Sequence, residues 1–385
     1  MVRRMAAVAA WWALALACND GPGPTSSGVS AAQACADNAH GRCTQLESCS
    51  PTDVLLRYGS ESNCEAREAA NCAMGLAEPF NGNTPDAIEA CAGAYAGWAC
   101  ADYLNDQNIP KACQQQLGSI INGGSCAIDG QCQSGFCGVA PGASCGTCSP
   151  PPKAGASCAE LIACGPSQGC TTDTFACVPF GARGAGCGRG TLCGVGLSCV
   201  GAAPGTPGLC KEDGEEVGAA CDPTNKTRAG CDRNAGLVCN VGVPAEDAGA
   251  EEGGAEAGGA EGGTEDDGGA DAGAGADAGA GADAGSDADA GGGGAGIPPN
   301  TCQTVVIASA GQPCGDDVAG QPAYCQAGGT CTGASGTTPG VCTAAAADGA
   351  PCDLVQGPTC AIPARCIGDG GTSGTCQYSA AQSCH

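Results

Sequence analysis

Residues 155–177 read GASCAELIACGPSQGCTTDTFAC, and residues 184–210 answer them with GAGCGRGTLCGVGLSCVGAAPGTPGLC. Each stretch opens on Gly-x-x-Cys and closes on a fourth Cys: Cys158, Cys164, Cys170 and Cys177, then Cys187, Cys193, Cys199 and Cys210. A unit that recurs at a period of about 30 residues marks a repeat architecture. Further copies carry Cys221, Cys231, Cys239 and Cys302, then Cys314, Cys325, Cys331 and Cys342, then Cys352, Cys360, Cys366 and Cys376. An earlier copy holds Cys126, Cys132, Cys137, Cys145 and Cys148, one more than the others, and Cys384 stands outside the pattern. Such units have too few apolar residues for long strands, so short β-hairpins with Gly turns are expected. Four Cys allow three pairings, and spacing does not choose among them. The extra Cys of the first unit and Cys384 pair with each other in one reading. In the other, Cys384 opens a truncated seventh unit or bridges two molecules.

Upstream, residues 31–121 have a different texture. They hold Cys35, Cys43, Cys49, Cys64, Cys72, Cys91, Cys100 and Cys113. The intervals 35–43, 64–72 and 91–100 return to nearly the same face of a helix. Thr84-Pro85-Asp86 supplies an N-cap, a first-turn proline and a first-turn acid. The reading is a bundle of four or five short helices stapled by disulfides, with Val54, Leu55, Leu56, Leu76, Ile88, Tyr95, Trp98, Tyr103 and Leu104 as its modest core. The fold class is therefore small disulfide-rich modules: a stapled α-helical domain followed by an array of cysteine-rich β-hairpin repeats.

Composition says why cross-links are needed. The chain of 385 residues has 35 Cys but only 4 Phe, 3 Trp and 3 Met, and much of its 43% hydrophobic content is Ala and Cys. It cannot build one large core, so disulfides replace part of the hydrophobic term. The formal charge is −26, with 14 Lys and Arg against 40 Asp and Glu. Nucleic acid is excluded as a partner of most of this surface. Residues 245–296, inserted between Cys239 and Cys302, hold 14 of those acids and no Lys or Arg. They have no apolar periodicity and read as a disordered, solvated acidic insertion. Asp271, Asp277 and Asp283 lie six apart, but a calcium-binding β-roll needs a large apolar residue in each repeat, and Ala does not serve.

The N-terminus reads as an export signal. Val2-Arg3-Arg4 is followed by an apolar run over residues 5–16, too short to span a bilayer. It ends in Ala15-Leu16-Ala17-Cys18, similar to a lipoprotein signal in which the Cys after the cut is acylated, although Ala15 stands where such signals usually carry Leu. Ordinary cleavage after Ala17 is the rival. Lipidation of Cys18 would leave an even 34 of the 35 Cys for disulfides. The organisation expected is 1–17 signal peptide, 18–30 tether, 31–121 helical domain, 122–244 repeats one to four, 245–296 acidic insertion, and 297–385 the end of repeat four, repeats five and six, and a tail. Asn19 is no inner-membrane retention signal, so the expected place is the outer membrane or cell surface, with secretion as the alternative.

The motifs Arg42-Cys43-x-x-Leu46-Glu47-Ser48-Cys49, Leu56-Arg57-Tyr58-Gly59, Glu89-Ala90-Cys91 and Cys126-Ala-Ile-Asp-Gly-Gln-Cys132-Gln-Ser-Gly-Phe-Cys137 carry a resemblance. Over residues 31–376, without the insertion, the chain resembles bacterial cysteine-rich lipoproteins described by a Dickkopf N-terminal-like cysteine-rich domain. The resemblance implies an envelope-anchored protein. It does not imply the receptor antagonism of animal Dickkopf proteins.

Catalytic signals are weak. His40 sits in a polar stretch and His385 is the last residue of the sequence. Gly142-Ala-Ser144-Cys145-Gly146 fits G-x-S-x-G in letters, but that motif works only at a strand-to-helix elbow. Cys145-Gly-Thr-Cys148 lacks the second close pair of a zinc ribbon and the βαβ context of a redox site. Asn225-Lys-Thr227 is a glycosylation sequon that matters only in a eukaryotic source. No cofactor or metal is implied. The expected role is a non-enzymatic lipoprotein, membrane-held by lipid, whose modules project outward to meet a surface protein or glycan. A pure spacer is the alternative, and a glycan-cleaving enzyme using Asp53, Glu61, Asp86 or Glu89 is the third reading.

Overall fold

A computed structural model of the chain describes residues 28–384 apart from 141, 159–163, 166, 172–173, 189, 241–299, 319–320, 336–337, 369–371 and 379–383. The export signal, Cys18, most of the tether and the acidic insertion lie outside the described residues.

The helical part holds α1 (Ala31–Cys49), α2 (Pro51–Tyr58), α3 (Glu61–Ala77), α4 (Pro85–Ala92) and α5 (Cys100–Leu104). Local chemistry sets their ends. Ser30, Ser60 and Thr84 cap α1, α3 and α4 by accepting the N–H of Gln33, Asn63 and Ala87. Pro51 and Pro85 occupy first turns, and Gly59 stops α2 with φ 79°. Cys35 bonds Cys72 and Cys43 bonds Cys64, so the eight-residue step on α1 meets the eight-residue step on α3 as two rungs of an antiparallel ladder. Cys49–Cys100 and Cys91–Cys113 tie in α5 and α4. Cys91 and Cys100 do not share a helix, because α4 stops at Ala92 and a 3-10 turn at Tyr95–Gly97 intervenes.

The apolar core is small. Leu46, Val54 and Tyr58 pack around Cys43 and Cys64, with Tyr103 and Leu104 against them. Tyr95 and Trp98 form a second cluster. Leu55, expected in the core, is 39% exposed. Packing chooses Val54 and Tyr58, one helical turn apart, and turns Leu55 outward.

The rest of the described chain forms six four-Cys units of short strands, and one pairing holds in all of them. The first Cys bonds the third and the second bonds the fourth: Cys126–Cys137 with Cys132–Cys148, Cys158–Cys170 with Cys164–Cys177, and Cys187–Cys199 with Cys193–Cys210. Cys221–Cys239 with Cys231–Cys302, Cys314–Cys331 with Cys325–Cys342, and Cys352–Cys366 with Cys360–Cys376 complete the set. The sulfurs are themselves much of the core: Cys126, Cys132, Cys302 and Cys314 have no exposed surface.

The recurrent Gly has a stated job. Gly123, Gly155, Gly184, Gly218, Gly311 and Gly349 all have φ between 79° and 91°. Each donates its N–H to the carbonyl of the unit's fourth Cys at 2.8 Å. A side chain in this left-handed region costs roughly 1–2 kcal/mol, which is why the Gly of Gly-x-x-Cys is fixed.

Successive units are joined by a second recurring contact. The chain entering a unit pairs in parallel with its second Cys: Ile120 with Cys132, Gly181 with Cys193, Gly214 with Cys231, Ala308 with Cys325 and Ala346 with Cys360. The sixth unit then returns to the first. The Gly368 N–H bonds the Gly142 carbonyl at 3.2 Å, and Cys145 bonds Cys384 across a separation of 239 residues.

The units do not project from the helices. Each one touches them. Gln131 reaches the Pro79 carbonyl, Ser167 the Asp106 carbonyl, and the Val195 N–H the Asn105 side chain. Ser50 bonds Asn234, and the Ala327 and Gly328 N–H groups bond the Leu55 and Leu56 carbonyls at the end of α2. Arg67 on α3 bonds the Ala361 carbonyl at 2.7 Å, the Ile362 carbonyl, and Asp348 at 2.8 Å, and its guanidinium lies 5.4 Å from the Tyr378 ring centre. The outward array is thus replaced by a closed belt around a helical hub. Helix-end carbonyls and a few long polar side chains supply the attachment that large apolar faces would give elsewhere.

Two outcomes follow. The double variant Cys145→Ser/Cys384→Ser keeps both disulfides of every unit but opens the belt, with an expected loss of roughly 2–4 kcal/mol in denaturant unfolding. Arg67→Ala is expected to cost about 2 kcal/mol, and Arg67→Lys to recover less than half, because an ammonium cannot reproduce the fork.

Candidate functional site

A cleft of about 430 Å³ opens where α1, α3 and α4 meet the first unit. Asn38 and Arg42 reach it from one face of α1, four residues apart, and Glu68, Asn71 and Gly75 from one face of α3. The disulfide ladder fixes these faces: Glu68 lies midway between Cys64 and Cys72, and must therefore point at α1. The first unit adds Ile128, Asp129 and Gly130.

Glu68 is only 6% exposed. Its carboxylate accepts the Tyr58 hydroxyl at 2.6 Å and lies 3.5 Å from the Arg42 guanidinium. Burial, reinforced by the Glu68 charge, pushes the Tyr58 phenol well above its ordinary range. Burial likewise pushes Tyr103 up to about 12, and its hydroxyl donates to the Arg42 carbonyl at 3.2 Å. Asp129 is raised by burial, against the opposing Cys137 N–H bond at 2.7 Å. The charged groups of the cleft are thus already engaged within the protein.

The turn at residues 79–83 forms one wall and is clamped from both sides. Gln131, wholly buried, donates to the Pro79 carbonyl at 2.9 Å and accepts the Ala127 N–H at 2.7 Å. Asn81 donates to the Gly75 carbonyl, the Gly82 N–H to the Gly130 carbonyl, and the Ser119 N–H to the Phe80 carbonyl. At Gly118 a Cβ would lie 2.2 Å from the Gln131 backbone, so chain and unit meet here without room for a methyl group.

The residues singled out from sequence lie elsewhere. Asp53 pairs with Arg57 at 3.2 Å, and Glu61 accepts the Thr44 hydroxyl at 2.9 Å. Asp86 sits in the first turn of α4, and Glu89 further along it. His40 is exposed and meets Glu65 at 2.6 Å, which raises its pKa. Ser144 precedes a strand, Gly146–Cys148, where an α/β-hydrolase elbow requires a helix. Cys145 is bonded to Cys384 and Cys148 to Cys132. Triplets such as Cys126, Cys132 and Cys137 crowd together closely enough to suggest a metal, but their sulfurs are oxidised and offer no thiolate. Asn225 lies in a loop anchored by Asp222, whose carboxylate takes four hydrogen bonds from Thr224 and Thr227 and falls well below the usual carboxylate range.

Sequence names Leu76 and Ile88 as core and carries Arg42 and Asp129 within its motifs, but does not bring them together, and it passes over Glu68 although that residue shares its stripe of α3 with two Cys. No family model, curated protein or solved structure matches this chain. The seventeen disulfides among the described residues are those of an exported protein that folds in an oxidising compartment. Among the described residues no helix is long and apolar enough to cross a membrane.

The buried phenols set an alkaline limit. Tyr58, Tyr95 and Tyr103 are all raised from 10.0 in the folded state, so the unfolded chain ionises first. The stability they contribute is complete below pH 10 and is lost as pH rises toward and through 12. Helical circular dichroism and tyrosinate absorbance, followed together, should change in step across that window.

Proposed function

We propose that this chain is a non-enzymatic, envelope-anchored cysteine-rich lipoprotein of the Dickkopf N-terminal-like type, held at the cell surface through Cys18 and acting there by binding. The observation that carries the reading is the closed belt. A chain tied to itself by a disulfide between its first unit and the segment after its sixth, with every unit fastened to one hub, is a rigid platform for recognition. A spacer gains reach by extending its modules, and this chain wraps them back.

One observation favours a second reading. Two carboxylates, Glu68 and Asp129, line the same cleft, as they would in a glycoside hydrolase. Each already holds structure: Glu68 anchors Tyr58 and Arg42, and Asp129 takes the Cys137 N–H. Binding is therefore the better reading.

The intact mass of the mature protein from its native membrane, before and after reduction, tests the anchor. A lipid adduct on Cys18 and a gain of 34 hydrogens are expected. The oxidised ectodomain should then bind envelope extracts or cells saturably, and lose that binding on reduction. An unlipidated species with free thiols, or binding that never saturates, would sink the reading.

A further inference from the structure

We propose that Cys145–Cys384 is a redox latch: a dithiol reductant opens it ahead of the other disulfides, and its opening loosens the cleft wall at Ala127–Gly130. The inference goes beyond the surface-binding reading. No ligand enters its test, so either can fail alone.

The first support is topological. Every other disulfide of the belt lies inside a unit, as one of an interlocked pair such as Cys126–Cys137 with Cys132–Cys148. When one link of such a pair opens, the other keeps its two thiols together at high effective concentration, and the bond re-forms. The ladder between α1 and α3 does the same for Cys35–Cys72 and Cys43–Cys64. Cys91–Cys113 is packed with Tyr95 and Trp98, and Cys49–Cys100 sits where α5 packs Tyr103 and Leu104 onto the hub. Cys145–Cys384 has no such second link. Among the described residues it is the one disulfide that joins a unit to a segment beyond another unit. Each unit and the hub keep all their own disulfides without it. It is therefore the link whose loss is least readily reversed by its surroundings and least damaging to the modules.

The second support is placement. Cys384 and Ala127, both buried, form a small cluster with Cys145 and Ile128, apart from the sulfur core of the first unit. Ile128 also lines the cleft, and a Cβ on Gly75 of α3 would lie 3.7 Å from its Cδ1. The Ala127 and Ile128 N–H groups donate to the Gln131 Oε1 at 2.7 and 3.3 Å, and the Gln131 Nε2 holds the Pro79 carbonyl. The disulfide thus backs the segment that forms the first unit's wall of the cleft and carries its clamp. Each contact from the sulfurs to the wall is direct, as a coupling between them requires.

The chemistry balances as a two-electron exchange. Cys145 is partly exposed and Cys384 is buried, so a thiolate of the reductant attacks the Cys145 Sγ. A mixed disulfide forms, and Cys384 leaves as a thiolate that takes up a proton. The second thiol of the reductant then attacks its own sulfur in the mixed disulfide. The Cys145 thiol is released, and the reductant departs as its disulfide. Cys145 does not then capture Cys148 from Cys132. The strand Gly146–Cys148 keeps the two about 10 Å apart along the chain, beyond the span a disulfide bridges. Reoxidation therefore returns the same pair.

The test is a dithiothreitol titration of the mature, oxidised protein, with free thiols trapped by N-ethylmaleimide and the labelled peptides mapped by mass. Cys145 and Cys384 should be labelled together at a concentration roughly tenfold below that needed for any other Cys. Removing the dithiothreitol before trapping should restore the same pair. In the selectively reduced protein, and in Cys145→Ser/Cys384→Ser, hydrogen exchange at the Ala127 and Ile128 amides should quicken by roughly fivefold or more, with α1, α3 and units two to five unchanged. Another pair opening first, or Cys145 re-forming with a different partner, overturns the latch. Unchanged exchange at Ala127 and Ile128 once the bond is open also overturns it, and makes the link a fastening only. The titration and the exchange can both be read on the parent chain, so a variant that fails to fold does not shelter the proposal.

Discussion

The crossing of two disulfides inside each unit is the constraint from which the rest follows. The third and fourth Cys stand directly opposite each other on neighbouring strands, as in Cys199 with Cys210 and Cys366 with Cys376. Neither bonds its cross-strand neighbour. The third reaches back to the first Cys and the fourth to the second, so the two links interlock over the sheet. A loop of roughly 15 residues closed by one disulfide removes about 3 kcal/mol of unfolded-state freedom. Two such links replace the hydrophobic layer that strands of two to six residues are too short to build. Gly at the left-handed turn position then lets the unit's opening segment meet the fourth-Cys strand. The two features are geometrically one: the turn brings the first Cys within reach of the third.

Because each unit keeps its core inside itself, little apolar surface is left for joining units to helices. The joints are accordingly polar. Arg67 grips the sixth unit through carbonyls, Asn105 holds the third, and Gln131 is shared between the first unit and the α3–α4 turn. Buried polar groups of this kind are tolerable only when their partners are in place. They demand one relative placement of hub and unit, where a greasy contact would allow several. Cys145–Cys384 makes that placement covalent between first and last units. The closed belt is thus a consequence of a core made of sulfur.

Much of this was legible in the sequence and some was not, for identifiable reasons. Cys spacing revealed the two textures, the six units and the helical character of the first domain, since periodicity of eight on a helix and Gly-x-x-Cys in a turn are local signals. The pairing inside a unit was hidden, because all three topologies fit the same spacing and only the strand register decides. The belt was hidden too. It depends on contacts such as Arg67 with Ile362, about three hundred residues apart, and a guanidinium on a helix gives no local sign of such a partner. The cleft has no local signature: Asp53, Glu61, Asp86 and Glu89 look no different in sequence from Glu68, and only the pairing of Cys64 and Cys72 with α1 forces Glu68 inward. Leu55 misled for the opposite reason: hydrophobicity was read as burial, but the two-disulfide ladder and Tyr58 leave α2 only one narrow face to bury.

The placement of the acidic insertion fits the same logic. It enters between the third and fourth Cys of the fourth unit, the hairpin that ends each module. On either side of it Cys239 faces Cys302 and Leu237 faces Thr304 in unbroken antiparallel register. The Asn300 N–H donates to the Asn240 carbonyl at 2.7 Å, so the flanking chain is paired up to Asn240 and Asn300. Relative to the corresponding loop between Cys199 and Cys210, the insertion lengthens the hairpin by between two and three doublings, a closure cost of roughly 1.5 kcal/mol. One disulfide outweighs that. The loop between third and fourth Cys is therefore where this architecture can accept length and charge without disturbing its core, and 14 of the chain's 40 acids have been put there. Elsewhere in a unit the same insertion would separate a Cys from the strand that sets its register, and the interlock would be lost.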